Sequence, residues 1–140
     1  MLLQDVDLIG TIEPKANSLR LFFSRRKISD KPESIFGLDK LFTGYPLITD
    51  KRLPIIQIDF KSYISYSITN ESFTVWDDYE EFEGKAFRIY SKSRFLDYIG
   101  THTIASSDYP GTIRHFGMVC LDHIVNIASN VHPMTIEVRR

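Results

Sequence analysis

Strict alternation of apolar and polar side chains is the feature that most constrains what this chain can fold into. Leu19, Leu21 and Phe23 alternate with Arg20, Phe22 and Ser24; Ile56 and Ile58 flank Gln57, with Asp59 and Phe60 following. Ile64, Tyr66 and Ile68 alternate with Tyr63, Ser65 and Ser67. A period of two places every second side chain on one face of a strand, so each run predicts a half-buried β-strand. Composition points the same way: 17 Ile, 9 Thr and 7 Tyr stand against only 4 Ala, a balance that suits a pleated surface better than a helix.

The chain has 140 residues, 44 of them Ile, Leu, Val or Phe. That is enough for one core and short of two, so a single domain over 1–140 is expected. No apolar run approaches the roughly 18 residues that a membrane helix needs. Met1 to Asp5 carries neither a basic region nor a sustained apolar stretch, so no secretory signal is expected. The lone Cys120 cannot form an internal disulfide, and with the missing signal this favours a reducing cytoplasm.

Strands are expected at Val6 to Ile12 and Ser18 to Phe23, joined as a hairpin through Glu13-Pro14-Lys15-Ala16-Asn17. Residues 24–52 hold two Pro, two Gly and several charges, which predicts a long excursion over the surface with one helical turn at Ile35, Leu38 and Phe42. Further strands are expected at 54–60, 62–69, 72–76 and 86–90. One short helix near residues 93–99 is signalled by a capping Ser91 or Ser93, the apolar stripe Phe95, Leu96 and Ile99, and Gly100 at the exit. A polar loop over 101–112, a closing hairpin of Ile113 to Leu121 and His123 to Ala128, and a last strand Thr135 to Val138 complete the reading. The fold class is therefore α+β, predominantly β: a curved antiparallel sheet with one short helix. The register of the closing hairpin stays open, because the turn can sit at Leu121-Asp122 or at Asp122-His123, and a slip of one residue exchanges the faces.

His115, Cys120, Asp122 and His123 are the densest group of candidate catalytic or metal-binding residues. A Cys–His pair supplies a thiolate nucleophile, and two His with a Cys supply three zinc ligands. The spacing matches no established zinc pattern, and the alternative is a plain hairpin with both His half-exposed and Cys120 buried. His102 and His132 fall in expected loops and read as solvated residues. No phosphate-binding glycine motif, GxSxG or HExxH is present, and no cofactor or metal is expected.

Charge is balanced, 17 basic against 18 acidic residues, which argues against a nucleic-acid partner. The distribution is uneven, because Asp77, Asp78, Glu80, Glu81 and Glu83 fall within seven residues. The rest of the chain holds 17 basic against 13 acidic residues. Arg25-Arg26-Lys27 reads as a charged patch that keeps a strand edge from pairing, with phosphate or RNA contact as the alternative. The stretch Trp76-Asp77-Asp78-Tyr79-Glu80-Glu81-Phe82-Glu83 has two readings. One is a solvated loop that aids solubility. The other is a partner-binding surface of Trp76, Asp77, Asp78, Tyr79, Glu80, Glu81 and Glu83, in which carboxylates stand where nucleic-acid phosphates would and aromatic rings act as anchors.

The run from Ile113 to Ile127, closed by Pro133 and Ile136, resembles the final hairpin of bacterial immunity proteins of polymorphic and contact-dependent toxin systems. The resemblance is a strand pattern and carries over no functional residue. It implies a small protein, encoded beside a toxin, that neutralises it by direct binding. Together with the acidic segment it gives the leading expectation: a cytoplasmic, non-enzymatic immunity protein whose partner is a basic toxin or nuclease domain. A small hydrolase or metal-dependent enzyme built on His115, Cys120, Asp122 and His123 is the rival, and a structural subunit of a larger assembly is the third reading.

Overall fold

The alternating runs become strands of two antiparallel sheets in the computed structural model, which describes residues 5–37, 40–75 and 77–140, with side chains left undescribed over 35–42. Sheet I has the order β1-β2-β6-β12 (Val6–Ile12, Leu19–Ile28, Ile55–Phe60, Met134–Val138), and β5 (Leu47–Thr49) pairs with the end of β2. Sheet II has the order β7-β11-β10-β9-β8 (Ser65–Asn70, His123–Ser129, Arg114–Val119, Phe87–Lys92, Glu81–Gly84). β3 (Glu33–Gly37) and β4 (Lys40–Gly44) form a hairpin of their own. The class is α+β and predominantly β, as the periodicity predicts. The chain passes from sheet I to sheet II after β6 and returns after β11.

The inward faces of the two sheets close on one core. Val6, Leu19, Leu21, Phe23, Ile56, Ile58 and Phe60 come from sheet I, and Phe116, Met118, Val125 and Ile127 from sheet II. The rings of Phe60 and Phe116 meet edge to face at 5.3 Å and join the layers. Each such side chain contributes about 2 kcal/mol by leaving water, which is why these positions tolerate no polar residue.

Residues 24–52 depart from the expected excursion. β2 runs on to Ile28 and β3, β4 and β5 follow, so charged side chains here occupy strands rather than a loop. Ile35 and Phe42, expected in a helical turn, are register partners across β3 and β4, while Leu38 lies outside the described residues. Arg25 and Arg26 do not guard an edge, because β2 lies inside sheet I. Arg25 pairs with Glu137 and Arg26 with Asp7, tying β2 to its sheet neighbourhood. The strand expected at 72–76 is a single 3-10 turn at Glu71–Phe73, capped by Asn70 Oδ1 accepting from the Ser72 amide at 3.0 Å.

The helix α1 (Arg94–His102) is capped by Ser93, whose Oγ accepts from the Leu96 amide at 3.0 Å, and it continues through Gly100 to His102. It covers the outer face of sheet II, where Ile99 is buried and Phe95 meets His115. Sheet II is thus covered on both sides at its centre. No helix among the described residues is long and apolar enough to cross a membrane.

Candidate functional site

The acidic segment is shaped by what its neighbours take from it. Asp77 accepts from Arg94 Nε through Oδ2 and from the Tyr79 amide through Oδ1 at 2.8 Å. The Arg94 guanidinium, and then the Tyr79 amide, hold the Asp77 carboxyl below the usual range. Tyr79 lies under two cations, Lys92 at 4.4 Å and Arg94 at 4.6 Å from its ring centre, and its hydroxyl donates to Asp97. That bond to Asp97 raises the phenol above its ordinary value. Asp77 and Tyr79 therefore fix the segment to the start of α1.

Beyond that anchor the chain does not loop away. Glu81 to Gly84 forms β8, the edge of sheet II, with Phe82 paired to Tyr90 and their rings 5.1 Å apart. Arg88 lies over the Phe82 ring at 4.1 Å. A bulge between Glu81 and Phe82 interrupts the ladder, and Gly84 turns the chain with φ 98°, where a Cβ would run into the Phe87 carbonyl. Asp78, Glu81 and Glu83 are exposed and make no ion pair among the described residues. Glu80 is half-buried, and desolvation, followed by the charge of Asp77, raises its carboxyl above the ordinary value. Trp76 lies outside the described residues. The segment is thus anchored at Asp77 and Tyr79, and Asp78, Glu81 and Glu83 present free carboxylates along a sheet edge.

The group His115, Cys120, Asp122 and His123 is not brought together. The turn holds Leu121 and Asp122: the Cys120 amide donates to the His123 carbonyl at 2.8 Å, and Val119 pairs with Ile124. With the register set, Cys120 falls on the inward face with Phe116 and Met118, and His115 on the outer face. Burial pushes the Cys120 thiol up to about 12, with the charge of Asp7 as a lesser cause, so the thiolate is suppressed. Asp122 is exposed at the turn, and His123 is half-buried with Nδ1 lacking a partner. No group of three or more His, Cys, Asp or Glu among the described residues has the geometry to hold a metal.

His115 instead joins a buried relay that spacing alone does not show. Its Nδ1 lies 2.7 Å from Ser93 Oγ and its Nε2 lies 2.7 Å from Asn126 Oδ1. Asn126 presents its Oδ1, which can only accept, so Nε2 carries the ring proton and donates to it. In the neutral ring Nδ1 then accepts the Ser93 hydroxyl proton, while the Ser93 oxygen accepts from the Leu96 amide. Tyr90 stacks on the imidazole at 4.1 Å and Phe95 tilts against it at 4.8 Å. Burial pushes the imidazole down to about 4, against a raising effect of the Asn126 bond, and keeps it neutral. Above the relay lies a cleft of about 730 Å³, bordered by Glu80, Arg88, Arg94 and Phe95 on one side and by Ile124 and Asn126 on the other. Sequence reasoning missed Tyr90 and Asn126; the signal that finds them is the outward parity they share with His115, once the hairpin register is known.

Compared with protein-family models, with curated proteins and with solved structures, the chain matches none.

Proposed function

We propose that this chain is a non-enzymatic protein-binding protein, an immunity protein that neutralises a basic toxin nuclease in the cytoplasm through the acidic edge of sheet II. One observation carries the reading: Asp78, Glu81 and Glu83 stand exposed on and beside an edge strand with no ion pair among the described residues, while Asp77 and Tyr79 hold that strand's approach against α1. Like charges crowded at one edge cost folding energy and add nothing to the core, so their advantage lies outside the chain. A cationic groove offsets the repulsion, and complementary charge speeds encounter while excluding wrong partners. Phe82, exposed between Glu81 and Glu83 on the same strand, supplies the apolar ground beside which a charged rim gains affinity.

The test is a titration of the toxin domain encoded by the adjoining reading frame with the purified protein, read as nuclease activity. Stoichiometric loss of activity supports the proposal. Full activity at a several-fold excess of this protein refutes it. A second reading, a subunit of a larger assembly, is favoured by the outer face of sheet I, where Ile12, Met134 and Ile136 are exposed. Light scattering on a size-exclusion column separates that reading by mass.

A further inference from the structure

We infer that a basic cleft at one end of sheet I, where the connections β1–β2, β6–β7 and β11–β12 meet, binds a small phosphate monoester, with the phosphate among Lys15, Lys61 and Arg20 and the apolar body against Pro14 and Met134. The cleft shares no residue with the acidic edge, and the inference goes beyond the binding of a protein partner.

Three observations converge on it. The first is charge. Lys15, Arg20 and Lys61 line the cleft with His132, and Asp59 is the one carboxylate among them. Asp59 is already spent: it accepts from Arg20 Nε and Nη2 at 2.8 and 3.1 Å and from Gln57 Nε2 at 3.0 Å. Lys15 and Lys61 make no ion pair among the described residues. Glu13, an acid close to Lys15 along the chain, accepts from the Tyr63 hydroxyl and does not line the cleft. With Arg20 and Asp59 neutralising each other, two ammonium groups remain without a counter-charge, so an incoming anion is favoured over a cation. Arg20 makes no hydrogen bond through Nη1 among the described residues, which leaves planar donors for phosphate oxygens beside the two lysines.

The second is construction. The basic residues come from separate parts of the chain, and the backbone laces those parts together. The Lys15 amide donates to Ser18 Oγ at 2.9 Å, which closes the β1–β2 turn. The Tyr63 amide donates to the Asn17 carbonyl at 3.0 Å, which ties the segment after Lys61 to that turn. Ser129 Oγ donates to the Ser62 carbonyl at 2.7 Å and accepts from the Val131 amide at 3.1 Å, which fixes the connection that carries His132. Arg20, Asp59 and Met134 lie side by side as register partners across β2, β6 and β12. Cations held together in this way repel one another until an anion joins them.

The third is shape. Leu19 and Phe60 floor the cleft, and Pro14 and Met134, both exposed, border it. A volume of about 500 Å³ lies within the range of small-molecule sites and admits a phosphate with a ring-sized body. A doubly charged phosphate matches two free ammonium groups, and a singly charged anion matches one.

The experiment is an NMR titration of the isotopically labelled protein near pH 8, where a phosphate monoester is a dianion, with phenyl phosphate. Parallel arms use phenyl sulfate, its singly charged isostere, and inorganic phosphate, which lacks the apolar body. The expected result is saturable movement of the Lys15, Ser18 and Lys61 backbone signals with phenyl phosphate. Affinity for phenyl sulfate, for inorganic phosphate, and for phenyl phosphate in Lys61→Gln should each be weaker by about tenfold. Phenyl sulfate or inorganic phosphate binding as tightly as phenyl phosphate, saturable movement centred elsewhere, or no saturable movement would each overturn the site. A single-stranded oligonucleotide that displaces phenyl phosphate at equal phosphate concentration would also overturn it, in favour of nucleic acid. The comparison of ligands on the unaltered protein stays decisive if Lys61→Gln fails to fold.

Discussion

His115 Nε2 and Asn126 Oδ1 lie 2.7 Å apart on the outer face of sheet II, and Ser93 Oγ lies 2.7 Å from the other ring nitrogen. Both nitrogens of a buried, neutral imidazole are thereby satisfied. The arrangement makes the proton an intruder, because charging the ring would break the bond in which Nδ1 accepts.

Stability should therefore fall as the pH is lowered from 6.5 toward about 4, the ordinary and the folded-state values of this imidazole. Within that window the unfolded chain binds a proton that the folded chain refuses, so the contribution is full above pH 6.5. The slope attributable to His115 is about 1.4 kcal/mol per pH unit, read from urea midpoints across the window. In His115→Phe the slope should flatten, while stability near neutral pH drops by about 2 kcal/mol because Ser93 and Asn126 lose their partner. An unchanged slope in that variant would show that another group carries the pH dependence.

Gly117 leaves the space that the Tyr90 ring fills. A Cβ there would stand 2.6 Å from Tyr90 Cε2, and the ring cannot swing aside because it is stacked on His115. Gly117→Ala should cost about 2 kcal/mol in chemical denaturation and should perturb the near-ultraviolet circular dichroism of Tyr90. Wild-type stability and spectrum would mean that the outer face repacks freely.

Asp77 anchors the acidic segment through Arg94 and the Tyr79 amide. Asp77→Asn keeps an acceptor for the amide but removes the charge that holds the guanidinium. The Tyr79 amide should exchange with deuterium faster in this variant, with the β10–β11 amides unaffected. Arg94 is exposed and Asp77 only half-buried, so global stability should hardly move. Equal exchange rates would detach the segment's order from the ion pair.

The inner strands of both sheets were legible because one face of each is buried, and burial writes itself as alternation. Ser93 was legible as a cap because an orphan amide at a helix start needs an oxygen. Residues 24–52 were not, because Arg25 and Arg26 look like solvated charges until Glu137 and Asp7 are brought to them from distant strands. β8 was hidden for a related reason: an edge strand buries little, so Glu81 and Glu83 remain at strand positions and leave no apolar period to read. The site followed the same division. The acidic segment was visible as composition, yet its sorting into anchored Asp77 and Tyr79 and free Asp78, Glu81 and Glu83 depends on α1. The Ser93–His115–Asn126 relay depends on a register that one residue of slip would have reversed.

The acidic edge is tested most directly by association kinetics with a toxin nuclease domain that the protein is found to inhibit, comparing the wild type with the Asp78→Lys, Glu81→Lys, Glu83→Lys triple variant at low and high salt. The account predicts that the variant associates at least about tenfold more slowly at low salt and loses most of its salt dependence, with dissociation less affected. An association rate and a salt slope equal to those of the wild type would contradict it.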